Sequence, residues 1–210
     1  WADSGSLWQG GTLKGLASKL DYLSDLGITC IWTGPIFKQR ARLDTYHGYG
    51  IQDFLELDPR FGTRKDLLNL VDLAHKKGLH IILDIIVNHS GDNWGYVAPG
   101  ERPDKAKNEP GYLNWPNYYG NPSDPEFKRW QTAWRDEQQI GFTGSGDDIQ
   151  GSHQGVWPRE LQNKSHYTRA GFGSLGSGDI ADPHAEHKRT DFLSLKDFAL
   201  DSSDTLTRLI

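Results

Sequence analysis

Gly78-Leu79-His80-Ile81-Ile82-Leu83-Asp84-Ile85-Ile86-Val87-Asn88-His89-Ser90 is the stretch from which the rest of the chain is read. A continuous apolar run carries one acid in its middle and ends abruptly in three polar residues. Runs rich in Ile and Val that do not alternate suit a strand buried on both faces, as in a parallel sheet covered by helices. A carboxylate inside such a run requires hydrogen-bond donors or a charge partner. Asp84, with Asn88 and His89 at the polar end, therefore marks the first place to look for a site. The plain alternative is a strand with one hydrogen-bonded structural Asp and a capped turn after it.

Upstream the same plan occurs twice. Thr12 is placed to cap a helix, and Leu13, Leu16, Ala17, Leu20 and Leu23 follow the spacing of one buried face. Gly27 suits the left-handed stop of that helix, and residues 28–32 read as a short strand ended by Gly34-Pro35. A polar loop is expected over 38–53, holding Tyr46-His47-Gly48-Tyr49. Thr63 and Asp66 have capping-box spacing for a second helix, with Leu67, Leu70, Val71 and Ala74 inward and Gly78 as its stop. Two strands joined through a helix form a parallel βαβ unit. Ligands gather outside the carboxyl ends of such strands, where residues 44–49 and 84–90 both fall.

Downstream of Ser90 the composition turns to Gly, Pro, Asn and Asp, and five of the eight Trp lie there. The spacing predicts an amphipathic helix over 124–138, turns and short strands over 141–178, and a further helix from Leu206, capped by Ser202 or Ser203. So long a stretch without regular structure is improbable in a compact domain, which points to an inserted subdomain. Trp94, Trp115, Trp130, Trp134 and Trp157 are expected mainly as its core.

Composition narrows the function. The 210 residues are 36% hydrophobic and 24% charged, with a net charge of −5. No basic cluster and no apolar run of membrane-spanning length occurs, so neither a nucleic acid nor a membrane is expected as partner. Cys30 is the single cysteine, expected as an inert core thiol inside an apolar strand, and it leaves the compartment open. A start at Trp1, the absence of Met and an end within a helical pattern suggest a segment of a longer protein.

These residues resemble glycoside hydrolase family 13, the α-amylase family, over 10–210 and most closely over 10–90. Asp84-Ile-Ile-Val-Asn-His89 is similar to the family's first conserved motif, at the end of the third barrel strand. Tyr46-His-Gly-Tyr49 followed by Asp53 is similar to its loop after strand two, and Leu195-Lys-Asp-Phe198 to a motif late in its inserted domain. The resemblance implies an α/β fold, a partial (β/α)8 TIM barrel comprising about strands two and three with their helices. The expected domains are barrel over 1–90, inserted domain B over 91–195 and a return to the barrel over 196–210.

It also implies roles. Tyr49 would be the aromatic platform under a sugar, His89 and His47 would meet that sugar's hydroxyls, and Asp84 would hold the loop ends. Asn88 and Asp197 would give oxygens to a structural calcium. That ion takes six to eight such ligands, and Asp147, Asp148, Asp179 and Asp182 are further candidates. Lys196 stands where the family usually has Pro. The substrate implied is an α-glucan or malto-oligosaccharide, cleaved with retention, and such large glucans suit a secreted or periplasmic parent.

The family's nucleophile, acid/base and helper carboxylates follow barrel strands four, five and seven, so no catalytic residue is expected within this chain. A closed barrel needs about 250 residues. Two other readings are a segment of a non-catalytic amylase-like ectodomain of the transporter heavy-chain type, and an unrelated phosphate-binding barrel. Retention of Tyr49, His47 and His89 together argues against the former. The latter would call for a Gly-rich phosphate loop, which is not seen.

Overall fold

Each of the first two helix ends is built by the same local chemistry. In the computed structural model, which describes residues 10–40, 47–97, 100, 102, 131–135, 141–142, 154–169, 172–173, 191–192 and 194–200, Thr12 accepts the Gly15 N–H at 2.9 Å and opens α1, Leu13–Ala17. The single helix expected here is interrupted: the Ser18 hydroxyl donates to the Gly15 carbonyl at 2.7 Å, and α2, Leu20–Asp25, starts afresh. Such local bonding by Ser competes with the helical ladder. Gly27, at φ 84°, then donates to Ser24 while Ile28 donates to Leu23. Gly78, at φ 72°, repeats the pattern after α3, Arg64–Lys76, with Gly78 donating to His75 and Leu79 to Ala74. Both are Schellman turns, which satisfy the last carbonyls and send the chain directly into a strand.

Those strands are β1, Cys30–Thr33, and β4, His80–Leu83, paired in parallel with Cys30 opposite His80 and Trp32 opposite Ile82. The expected βαβ unit is therefore present. Between them lies a hairpin where only a loop was expected: β2, Phe37–Gln39, pairs antiparallel with β3, Ile51–Leu57. Its sequence hides it. Gln52 and Asp53 are buried polar residues inside the strand, and the register shifts twice along β2.

Leu13, Leu20, Leu70, Ala74 and Leu79 form the core of this first unit, with Ile31 and Ile81 packed against them. Each fully buried Leu contributes about 1.5–3 kcal/mol relative to exposure. Alternation along the strands turns Trp32 and Ile82 to the other face, and there Trp32 is 71% exposed and Ile82 48%. The expectation of burial on both faces is thus met on the helix side alone. Cys30 is exposed as well, which corrects its assignment to the core.

The chain divides into two compact units, one of residues 1–39 and 43–86, the other of residues 40–42 and 87–210. The boundary expected after Ser90 falls instead after Ile86. The reason is pairing: β5, His89–Ser90, is antiparallel to β11, Lys196–Asp197, so both segments belong to the second unit, 196–200 included.

That unit is organised by β6, Trp94–Val97, β7, Gln131–Arg135, and β8, Gly141–Phe142, an antiparallel sheet in the order β6-β7-β8. Short 3-10 turns at Arg159–Gln162 and Lys164–His166 follow, then β9, Phe172–Gly173, parallel to β10, Asp191–Phe192. A strand at 131–135 corrects the expected helix there, since Trp134 lies opposite Trp94 across the ladder. The remainder of that helix, Trp115, Trp130 and the helix from Leu206 lie outside the described residues.

Trp94, Trp134, Tyr96, Tyr167 and Phe198 are all buried and pack ring against ring, Trp94 to Tyr96 at 5.0 Å and Tyr167 to Phe198 at 5.0 Å. Over this cluster sits the Lys196 ammonium, 4.9 Å from the Trp94 ring centre, in a side chain with no exposed surface. A desolvated cation over aromatic faces gains from their quadrupoles. Arg40 crosses the same unit, donating to Asn93 Oδ1 at 3.3 Å and to the carbonyls of Arg135 and Gly155 at 3.1 and 3.4 Å.

Candidate functional site

The candidates fall into two groups, one in each unit. In the first, Asp84 directly follows β4 and Tyr49 stands two residues before β3. The Tyr49 hydroxyl donates to Asp84 Oδ2 at 3.2 Å, giving the acid in the apolar run the donor it requires. Burial first, then the charge of Asp84 and this bond, push the Tyr49 pKa above its ordinary value, so the phenol stays a donor. Tyr49 is 38% exposed, leaving ring surface available to a ligand.

His47 stands beside it. The two rings stack with centres 5.6 Å apart and an interplanar angle of 30°, and the Tyr49 N–H donates to His47 Nδ1 at 3.0 Å. That bond assigns the ring proton to Nε2. Burial lowers the His47 pKa, which favours the neutral ring that can accept it. A hollow of about 360 Å³ opens against His47, lined also by Trp32, Thr33 and Pro35. A second hollow, about 560 Å³ between β3 and α3, touches none of the candidate residues. Tyr46 lies outside the described residues.

In the second unit, Asp197 lies opposite His89 in the β5–β11 ladder, and the Phe198 N–H donates to the Asn88 carbonyl at 2.9 Å. The Asn88 amide nitrogen is 2.7 Å from His89 Nδ1. An amide nitrogen only donates, so Nδ1 accepts and Nε2 carries the proton. His89 is buried to 7% exposure, whereas Asn88 is exposed.

An Asn88 amide oxygen and an Asp197 carboxylate are donors of the kind a hard cation such as calcium takes, two where six to eight are needed. Among the described residues no three His, Cys, Asp or Glu side chains converge on one point. Asp147, Asp148, Asp179 and Asp182 lie outside them. Among the described residues, too, no helix is long and apolar enough to cross a membrane.

Sequence reasoning missed residues that hold this site. Gln39, at the end of β2, donates from Nε2 to the carbonyl of Gly48 at 2.6 Å and to that of Phe37 at 3.1 Å. Its own N–H donates to Asp58 Oδ2 at 3.0 Å. Burial raises the Asp58 pKa, but the Arg60 side chain, the N–H donors of Gln39 and Arg60 and the Arg60 charge outweigh it and hold the group below the usual carboxylate range. The available signal was two polar residues flanking the Tyr49 loop, and nothing local distinguished them from surface positions.

Residues 2–151 match the family model described as alpha amylase, catalytic domain. Over 110 residues the chain is 46% identical to the alpha-amylase of Streptomyces lividans, covering 46% of this chain and 12% of that protein. Over 80 residues it is 51% identical to alpha-amylase 2 of Dictyoglomus thermophilum, covering 38% of this chain and 14% of that protein. Among solved structures, the alpha-amylase of Geobacillus thermoleovorans complexed with acarbose superimposes with a TM-score of 0.54 at 26% identity, over 99% of this chain and 31% of that chain. The chain spans less than a third of the length of each of these relatives. The parallel βαβ unit, the motif at its carboxyl end and the match over 2–151 agree, and the chain belongs to the α-amylase family as part of its (β/α)8 catalytic domain.

Proposed function

We propose that this chain is part of a glycoside hydrolase that cleaves α-glucosidic bonds of starch-like or malto-oligosaccharide substrates with retention, and that Tyr49, His47, His89 and Asp84 bind the sugar or hold its site. The observation that carries this reading is the bond from the Tyr49 hydroxyl to Asp84. It immobilises an aromatic ring whose face stays partly open at the carboxyl end of a barrel strand. A pyranose presents an apolar face to such a ring, and a ring tied at its far end orients the sugar without a further loss of freedom. His47 and His89 each carry a proton on Nε2, a donor suited to a sugar hydroxyl. Retention requires two carboxyl groups about 5 Å apart across the bond, supplied in this reading by later barrel strands. The relatives named alpha-amylase, one of them complexed with acarbose, support the substrate class.

The same reading gives Asn88 and Asp197 a calcium ion. It would neutralise the carboxylate and join β5 to β11, with the remaining oxygens from carbonyls, water or other acids.

In the full-length protein, Tyr49→Ala is expected to reduce turnover of malto-oligosaccharides at least tenfold, on the order of 1.4 kcal/mol or more, with the unfolding midpoint nearly unchanged. A folded full-length protein that releases no reducing ends from starch or malto-oligosaccharides would overturn the proposal.

A further inference from the structure

We infer that Gln39 is a positioning residue for the Tyr49 platform: its side-chain amide locks the peptide group from which Tyr49 is suspended. The inference rests on the reading of Tyr49 given above. The peptide joining Gly48 to Tyr49 is one rigid plane. At one end its carbonyl accepts the Gln39 Nε2–H at 2.6 Å, and at the other its N–H donates to His47 Nδ1 at 3.0 Å. Rotation of that plane would break both bonds and swing the Tyr49 Cα with it. Gln39 and His47 therefore act on opposite ends of a single group.

Three further contacts make the hold specific. Both partners of Nε2, the carbonyls of Gly48 and Phe37, are acceptors, so the orientation of the amide is fixed. Gln39 is 2% exposed and its backbone is pinned to Asp58, which Arg60 grips from Nε at 2.8 Å and Nη2 at 2.7 Å. On its other side Gly48 is pressed onto Pro35: at φ 84°, a Cβ placed there would stand 2.5 Å from the Pro35 carbonyl oxygen. Gly48 is thus clamped between an amide donor and a backbone wall, while the two rings that flank it, His47 and Tyr49, are exposed. An exposed ring with a fixed orientation needs such an internal anchor.

The test is a double-mutant cycle in the full-length enzyme with maltopentaose as substrate. Gln39→Met keeps the shape and removes the donor. It is expected to lower kcat/KM about tenfold with the unfolding midpoint little changed, and Gln39→Glu, which faces two carbonyls with acceptors, is expected to lower it further. In the Tyr49→Ala background the Gln39→Met loss should vanish, because the ring it positions is gone. A loss of equal size in that background, or full activity in Gln39→Met alone, would overturn the inference while leaving the role of Tyr49 intact. If Tyr49→Ala itself has no effect, the reading of Tyr49 fails instead. Should Gln39→Met not fold, Gln39→Asn keeps the amide one methylene too short to reach Gly48, and the same comparison is made with it.

Discussion

His47 shows how much depends on a single proton. Its Nδ1 accepts the Tyr49 N–H, and burial holds its pKa below the 6.5 of an ordinary imidazole. Because the folded value is the lower one, the favourable contribution is complete above the unfolded value of 6.5 and is lost as pH falls through the depressed folded value. Protonation there places an N–H against an N–H. The acid side of the kcat/KM profile should therefore contain a step below 6.5 that disappears in His47→Gln; an unaltered profile in that variant would count against the role. Asp84 was legible beforehand because an acid in an apolar run demands a donor, and Tyr49 supplies it. Gln39 was not, since its importance comes from a carbonyl that only folding brings within reach.

Elements built from their own neighbours were readable in the sequence, and those built from distant partners were not. The capping box of α3 is a case of the first: Thr63 Oγ1 accepts from the Asp66 N–H at 3.2 Å and Asp66 Oδ2 from the Thr63 N–H at 2.9 Å. Thr63→Ala is expected to cost about 1 kcal/mol, read as a lower unfolding midpoint with activity retained. The two Schellman turns are equally local. Strand β7 is the contrary case, because Thr132 and Trp134 have no helical role once Trp94 and Tyr96 pair with them from far along the chain. The hairpin of β2 and β3 was hidden in the same way, its buried Gln52 and Asp53 resembling loop residues.

At the scale of the molecule, each of the two compact units carries part of the set of candidate residues. Under the calcium proposal, Asn88, whose carbonyl accepts from Phe198, and Asp197, opposite His89, would each give the ion an oxygen. Chelation of calcium should lower the unfolding temperature of the full-length protein, and Asn88→Ala with Asp197→Ala should abolish that sensitivity. An unchanged midpoint on chelation removes both residues from the role. The fold class was legible because a helix, a glycine and an apolar strand recur, whereas the division at Ile86 depends on pairing between segments more than a hundred positions apart.

The repeated turn at Gly27 and Gly78 has an evolutionary and engineering corollary. Each seals off the preceding helix and launches the next strand with bonds drawn wholly from within a six-residue window, 23–28 and 74–79. The shape of each turn therefore depends on no distant partner, even though the strands the two turns launch, Cys30–Thr33 and His80–Leu83, pair with each other. A segment exchanged between relatives would carry the joint intact only if the whole window, 23–28 or 74–79, came from one parent.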